Sequence, residues 1–149
     1  MKVILTPYEI FLAANVGLRR AISKMQSKEN NYINNKSYGW HTDIEGACAE
    51  MAFAKYKNWY WDGSVGTYRK PDVADVQVRH TEHDDGKLIL RPNKTNENEI
   101  YVLVTGKAPA YFIRGGIKGA DGMVEKYIFK GFNDMPDCWM VPQSDLIEI

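Results

Sequence analysis

The feature that most constrains this chain is a change of hydrophobic period near Trp61. Before it, apolar residues recur at helical spacing. After it, they fall in short runs that alternate or stay apolar for about four residues. Two helices followed by a series of strands imply an α+β domain in which N-terminal helices flank a mixed or antiparallel β-sheet. The 149 residues fit one domain, residues 1–149. It divides into a helix over residues 6–26, a loop over 27–41 and a core over 42–146.

The first helix announces itself at Thr6-Pro7-Tyr8-Glu9. Thr6 can cap, Pro7 suits the first turn, and Glu9 can reach back to complete a capping box. Ile10, Leu12, Ala13, Val16, Leu18, Ala21, Ile22 and Met25 supply its apolar positions. Arg19, Arg20 and Lys24 suit the negative end of the helix dipole, or contact phosphate. Residues 27–40 are polar and Asn-rich and read as a loop. A second helix is expected from a second capping box, Thr42-Asp43-Ile44-Glu45. Its buried stripe would be Ile44, Ala47, Cys48, Met51 and Ala54. Strands are expected over 65–69, 75–81, 88–90, 101–104, 111–117, 126–132 and 139–141. The run Tyr101-Val102-Leu103-Val104 suits a central strand buried on both faces. Residues 142–146 form a turn.

Charge narrows the function classes. Lys plus Arg equals Asp plus Glu, at 19 each, so no global field draws the chain to nucleic acid or anionic membrane. Any basic groove must come from arrangement. No apolar run approaches the roughly 20 residues that span a bilayer. MKVILTPYEI lacks a signal-peptide pattern, so a cytoplasmic location is expected. The two cysteines, Cys48 and Cys138, read as buried thiols. The residues leave the oligomeric state open.

Acidic residues carry the sharpest chemical clue. On a helical wheel, Glu45 and Glu50 border the second helix's apolar stripe. Glu45 is committed to the capping box, whereas Glu50 sits among Gly46, Ala47 and Ala54, where another backbone can approach. Glu50 is either a solvated edge residue or points into a junction with the sheet. The stretch KPDVADVQVRHT (residues 70–81) then sets Asp72 ahead of an alternating strand. Asp75, Gln77 and Arg79 share one of its faces. A helix Glu, an Asp, and an acid two residues before a base form the arrangement of a hydrolytic Mg²⁺ (or Mn²⁺) site.

Four segments carry a resemblance: EGACAEMAFAK, KPDVADVQVRHT, YVLVTGKAPAYFIRGGIKG and CWMVPQSDL. Together they resemble a phage-type member of the PD-(D/E)xK, or restriction-endonuclease-like, nuclease superfamily. The resemblance implies a mixed sheet flanked by helices, a Mg²⁺ or Mn²⁺ cofactor, DNA as partner, and nuclease activity in the host cytoplasm. By position, Glu50 matches the helix Glu, Asp72 the Pro-Asp aspartate, Gln77 the second acid and Arg79 the lysine. The metal set it implies is Glu50, Asp72 and Gln77, with Asp75 as a further acid for the place that Gln77 leaves neutral. Gln77 can offer an amide oxygen but no charge. Arg79 can hold phosphate in bidentate fashion but cannot shuttle a proton. The alternative is a nuclease-fold module with a decayed site that binds nucleic acid or a host protein.

Other signals point to structure. His80-x-x-His83 with Asp84 and Asp85 lacks convergent ligand geometry. Gly115-Gly116 and Gly119 suit a strand bulge rather than a phosphate loop. Trp59-Tyr60-Trp61 with Lys55 and Lys57 either closes the core or stacks bases.

Overall fold

The first capping box forms as expected. The Thr6 backbone N–H donates to Glu9 Oε2 at 2.7 Å, and the Glu9 N–H donates to Thr6 Oγ1 at 3.2 Å. Helix α1 then runs Pro7–Gln26 in a computed structural model, which describes residues 1–26, 39–67, 70–131 and 136–149. A short strand, β1 (Lys2–Ile4), precedes it. It was not expected, because three residues carry almost no periodic signal.

Helix α2 (Trp40–Lys57) starts two residues before the expected box. Gly39 is its cap and contributes no side-chain bond. The Thr42 amide donates to the Gly39 carbonyl at 3.2 Å, which leaves Thr42 inside the helix. The Thr42–Glu45 capping box is therefore corrected: Glu45 turns into the core instead. The buried stripe is also wider than expected. Ala47, Cys48, Ala49, Ala52, Phe53 and Ala54 are all buried, while Ile44 and Met51 are half-buried. A helix covered by α1 on one side and the sheet on another has no single inward face.

The contact between α1 and α2 uses small residues. Ala13, Gly17 and Ala21 are buried. A Cβ on Gly17 would stand 2.5 Å from the Asp43 carbonyl oxygen and the Ile44 Cα, so the two backbones nearly touch. The larger apolar residues Leu12, Ile22 and Met25 face away and are exposed.

The main sheet is mixed. Its strands are β2 (Val76–Thr81), β4 (Ile100–Lys107) and β5 (Ala110–Lys118) with β1, in the order β1-β5-β4-β2. The β2–β4 pair is parallel; β4–β5 and β5–β1 are antiparallel. A second sheet, β3-β7-β6, joins β3 (Leu88–Leu90), β6 (Ile128–Phe129) and β7 (Cys138–Val141). Alternation along the strands splits the core in two. Val76, Val78, Val102, Val104 and Tyr111 face α2. Tyr101, Leu103 and Ile117 face the small sheet, with Leu88, Leu90 and Val141. Strand β4 is buried on both faces, as its apolar run implies.

Other expectations need adjustment. Residues 65–67 are a bend rather than a strand, and 68–69 lie outside the described residues. Of the strand expected over 126–132, the first part is a 3-10 turn, Glu125–Tyr127, and β6 has two residues; Phe132 is outside the described residues. Most of the expected loop, 27–38, is likewise outside them. A four-residue helix, α3 (Gly119–Gly122), follows β5. The glycine pair does form a bulge. Leu103 faces Gly115, Val104 faces Ile113, and Gly115 has φ of 117°. The tail makes its turn as Gln143–Asp145, and Ile147 then bridges Gly116.

Candidate acidic site between the helices and the edge strand

Glu50 is 6% exposed on α2 and meets Arg20 of α1. Arg20 Nη1 donates to Oε1 at 2.6 Å and Nη2 to Oε2 at 3.0 Å, a bidentate pair. Trp61 Nε1–H donates to Oε2 at 2.9 Å, and Arg20 Nε–H donates to the Ser64 carbonyl at 2.9 Å. Of the two positions open to Glu50, the structure takes the junction rather than the solvated edge. One turn further along α1, Lys24 pairs with Asp43, itself 9% exposed. The helices are thus joined by a ladder of two ion pairs beside their small-residue seam. Sequence reading missed Arg20 and Trp61 as partners. The available signal was spacing: Arg20 and Lys24 fall on the same face as Gly17 and Ala21.

Asp72 approaches from the sheet side. The Val73 and Val76 backbones exchange hydrogen bonds of 3.1 and 2.9 Å, closing a two-residue turn at Ala74 and Asp75 in which Ala74 has φ of 52°. The turn folds Asp72 back along β2, which is an edge strand. There Asp72 Oδ2 accepts the Val78 N–H at 2.8 Å, covering a donor that the sheet leaves unpaired. The other oxygen, Oδ1, has no hydrogen-bond partner among the described residues. Burial pushes the Asp72 carboxyl up, and the charge of Glu50 pushes it further, to about 6; the Val78 N–H, Arg79 and Arg20 pull the other way. Glu50, Arg20 and Arg79 are therefore all within electrostatic reach of Asp72.

The remaining expected site residues do not join this pair. Asp75 occupies the exposed tip of the turn. It does not share a face with Gln77 and Arg79, because the strand begins one residue later, at Val76. Gln77 lies beside Tyr101 and Arg79 beside Leu103 in the β2–β4 register. Those partners face the small sheet, so Gln77 and Arg79 stand on the sheet face away from α2. The Arg79 guanidinium sits 5.2 Å from the Tyr101 ring centroid.

Among the described residues, no three His, Cys, Asp or Glu side chains are placed to hold a metal together, so a closed cage of the zinc type does not fit. Mg²⁺ keeps several waters and is commonly held by one or two carboxylates plus substrate phosphate. Both oxygens of Glu50 already accept from Arg20 and Trp61, so the Asp72 Oδ1 is the one carboxylate oxygen of the pair without a hydrogen-bond partner among the described residues.

Nearby polar groups have structural partners. Glu45 Oε2 accepts the Tyr111 O–H at 2.6 Å and the Ala108 N–H at 3.3 Å. Burial, opposed by the bond to Tyr111 and aided by Glu45, pushes the Cys48 thiol up to about 11, so it is no ready nucleophile. His80 bonds the Gly106 carbonyl at 2.7 Å, on the opposite face from Gln77 and Arg79. Trp59 packs edge-on against Phe53, with centroids 6.0 Å apart. Trp61 packs against the core as the core-closing reading has it, while Trp59 and Tyr60 are 38% and 85% exposed. A cleft of about 260 Å³ lined by Met1, Tyr56, Arg114 and Glu148 involves none of Glu50, Asp72, Asp75, Gln77 or Arg79. No helix among the described residues is long and apolar enough to cross a membrane.

Comparison of the chain with family models, with curated proteins and with solved structures gave no match in any of the three.

Proposed function

We propose that this protein is a Mg²⁺- or Mn²⁺-dependent phosphodiesterase acting on DNA, of the restriction-endonuclease-like type, with Glu50 and Asp72 as its metal-holding acids. One observation carries the reading: two buried or half-buried carboxylates from distant segments act electrostatically on each other, and Asp72 Oδ1 has no hydrogen-bond partner among the described residues. When bound, the divalent ion would polarise the phosphodiester and lower the pKa of an attacking water.

The protein's own groups have separable roles. The Val78 N–H holds the Asp72 carboxylate in place. Arg20 and Trp61 fix the orientation of Glu50. Arg79, within electrostatic reach of Asp72, offers a fork of donors to a phosphate but no transferable proton. Gln77 is neutral and faces the Tyr101 side, so the metal set reduces to two acids. Arg20 favours the second reading, a nuclease-fold module that binds nucleic acid or a host protein without cutting, because it already engages both oxygens of Glu50.

Incubation with single-stranded, duplex and branched DNA in Mg²⁺ or Mn²⁺ separates these. The catalytic reading expects cleavage by the wild type and none by Glu50→Ala or Asp72→Ala. Cleavage that survives both substitutions rules out the site. DNA retention without cleavage in either metal selects the binding module.

A further inference from the structure

Helix α1 is amphipathic in an inverted sense. The face against α2 is built of Ala13, Gly17 and Ala21 with Arg20 and Lys24. The face turned to solvent holds the large side chains. Tyr8 is 69% exposed, Phe11 62%, Leu12 40%, Ile22 39% and Met25 37%. At 100° per residue these fall in an arc of about 140° on the side of α1 away from the α2 contact.

The spacing of that outer face is specific. Tyr8, Phe11, Asn15, Leu18, Ile22 and Met25 follow one another at intervals of three, four, three, four and three. That is the a/d pattern of a two-helix coiled coil, with a polar Asn at one a position. Asn15 Nδ2 bonds its own helix at the Phe11 carbonyl, 2.7 Å away, and its side-chain oxygen has no partner among the described residues.

We infer that this face is a homodimer interface, in which α1 of one copy packs antiparallel on α1 of a second copy. The pattern is self-complementary about its midpoint: Tyr8 meets the second copy's Met25, Phe11 meets Ile22, and Asn15 meets Leu18. Such pairing is the isologous contact of a two-fold dimer. Charge selects the direction. Glu9 pairs with Lys55, Arg20 with Glu50 and Lys24 with Asp43, which leaves the exposed Arg19 as the charge beside the outer face. Antiparallel packing opposes the helix dipoles and separates the two copies' Arg19 side chains; parallel packing would align the dipoles and set the Arg19 side chains level with each other. Area suffices as well. With 150–250 Å² per aromatic side chain and comparable aliphatic ones, the quoted exposures give roughly 450 Å² of apolar surface per copy. Complete coverage of these side chains in both copies would bury about 900 Å², and Asn15, Leu18 and the Arg19 stem bring the total to roughly the 1,000 Å² at which a specific interface begins.

Sedimentation velocity over a range of concentrations tests the interface. The expected species has twice the mass of the 17.0 kDa chain. Phe11→Glu and Ile22→Lys should each be monomeric, with circular dichroism unchanged because both sites are exposed. Mixing the two variants should restore a dimer, because position 11 of one copy meets position 22 of the other. A wild type that stays monomeric at every concentration overturns the inference. Variants that remain dimeric, or a mixture that does not reassociate, overturn the antiparallel seam. Binding of a monomeric wild type to phosphatidylcholine–phosphatidylglycerol vesicles, lost in Phe11→Glu, would reassign the face to a lipid surface.

Discussion

Asp72→Asn removes one negative charge and little else. The amide keeps an acceptor oxygen for the Val78 N–H, now 2.8 Å from Oδ2, and the volume is nearly unchanged. In the folded protein, burial and then Glu50 raise the Asp72 carboxyl from 3.8 to about 6. The folded state therefore holds this proton more tightly than the unfolded chain does. Stability falls as pH rises from about 4 to about 6 and stays reduced above that window. At 1.36 kcal/mol per pH unit the ceiling is about 3 kcal/mol. Asp72 is only half-buried, and solvent screening brings the working figure to about 1–3 kcal/mol.

The asparagine variant escapes this cost. It should be more stable than wild type by that amount near neutral pH, or about 2–10 °C in Tm for a chain of this size. Near pH 4 the two should coincide, since the wild-type carboxyl is then protonated in the folded state. Urea melts across this range measure the gap directly. A gap that is flat with pH, or a variant less stable at neutral pH, refutes the electrostatic reading. Divalent ion adds a second arm. A ligand at 100 times its Kd stabilises by about 2.7 kcal/mol, so Mg²⁺ or Mn²⁺ should raise wild-type stability and leave Asp72→Asn unmoved.

Arg20→Ala strands the Glu50 carboxylate beside Asp72. Breaking a buried pair costs about 3–5 kcal/mol, and the 19% exposure of the Arg20 side chain lowers this to about 2–4 kcal/mol. Chemical denaturation should show the Arg20→Ala/Glu50→Gln double variant losing less than the sum of the two singles, and strict additivity would argue against the bidentate pair. Gly17→Ala should cost about 1–3 kcal/mol despite the better helix propensity of Ala, because its Cβ meets the α2 backbone; an unchanged or higher Tm contradicts so close a crossing.

What could be read from the sequence was local. The Thr6–Glu9 box lies within four residues and forms as written. The apolar run at 101–104 identifies a strand buried on both faces because no other element tolerates such a run there. Alternation in β2 correctly separates Val76 and Val78 from Gln77 and Arg79. It fails only at Asp75, where a left-handed Ala74 ends the strand one residue sooner than the pattern implies. Periodicity also finds the faces of α1 without saying which is covered. Apolar content points outward-facing Leu12, Ile22 and Met25 inward. Packing decides otherwise, because Gly17 and the alanines allow an approach that larger residues forbid.

The site was half legible for the same reason. Residue type and chain order single out Glu50 and Asp72, and both reach the junction. The Glu50–Arg20 pair spans 30 residues of chain and follows from the α1–α2 crossing, which no local pattern encodes. The same crossing explains the charge balance. Arg20 matches the charge of Glu50, while Asp72 is drawn down by positive charge only at a distance, by Arg79 from the other sheet face and by Arg20. If fold stability alone mattered, apolar residues would fill this junction at least as well, since buried ion pairs seldom improve on them. As it stands, one Asp72 oxygen caps the edge-strand Val78 N–H and the other has no hydrogen-bond partner among the described residues. In the proposed function a divalent cation at that oxygen would add positive charge, and a phosphodiester is the anion such a field favours. An asparagine would keep the Val78 bond without the charge, so the Asp72→Asn melts measure what the charge itself costs the fold.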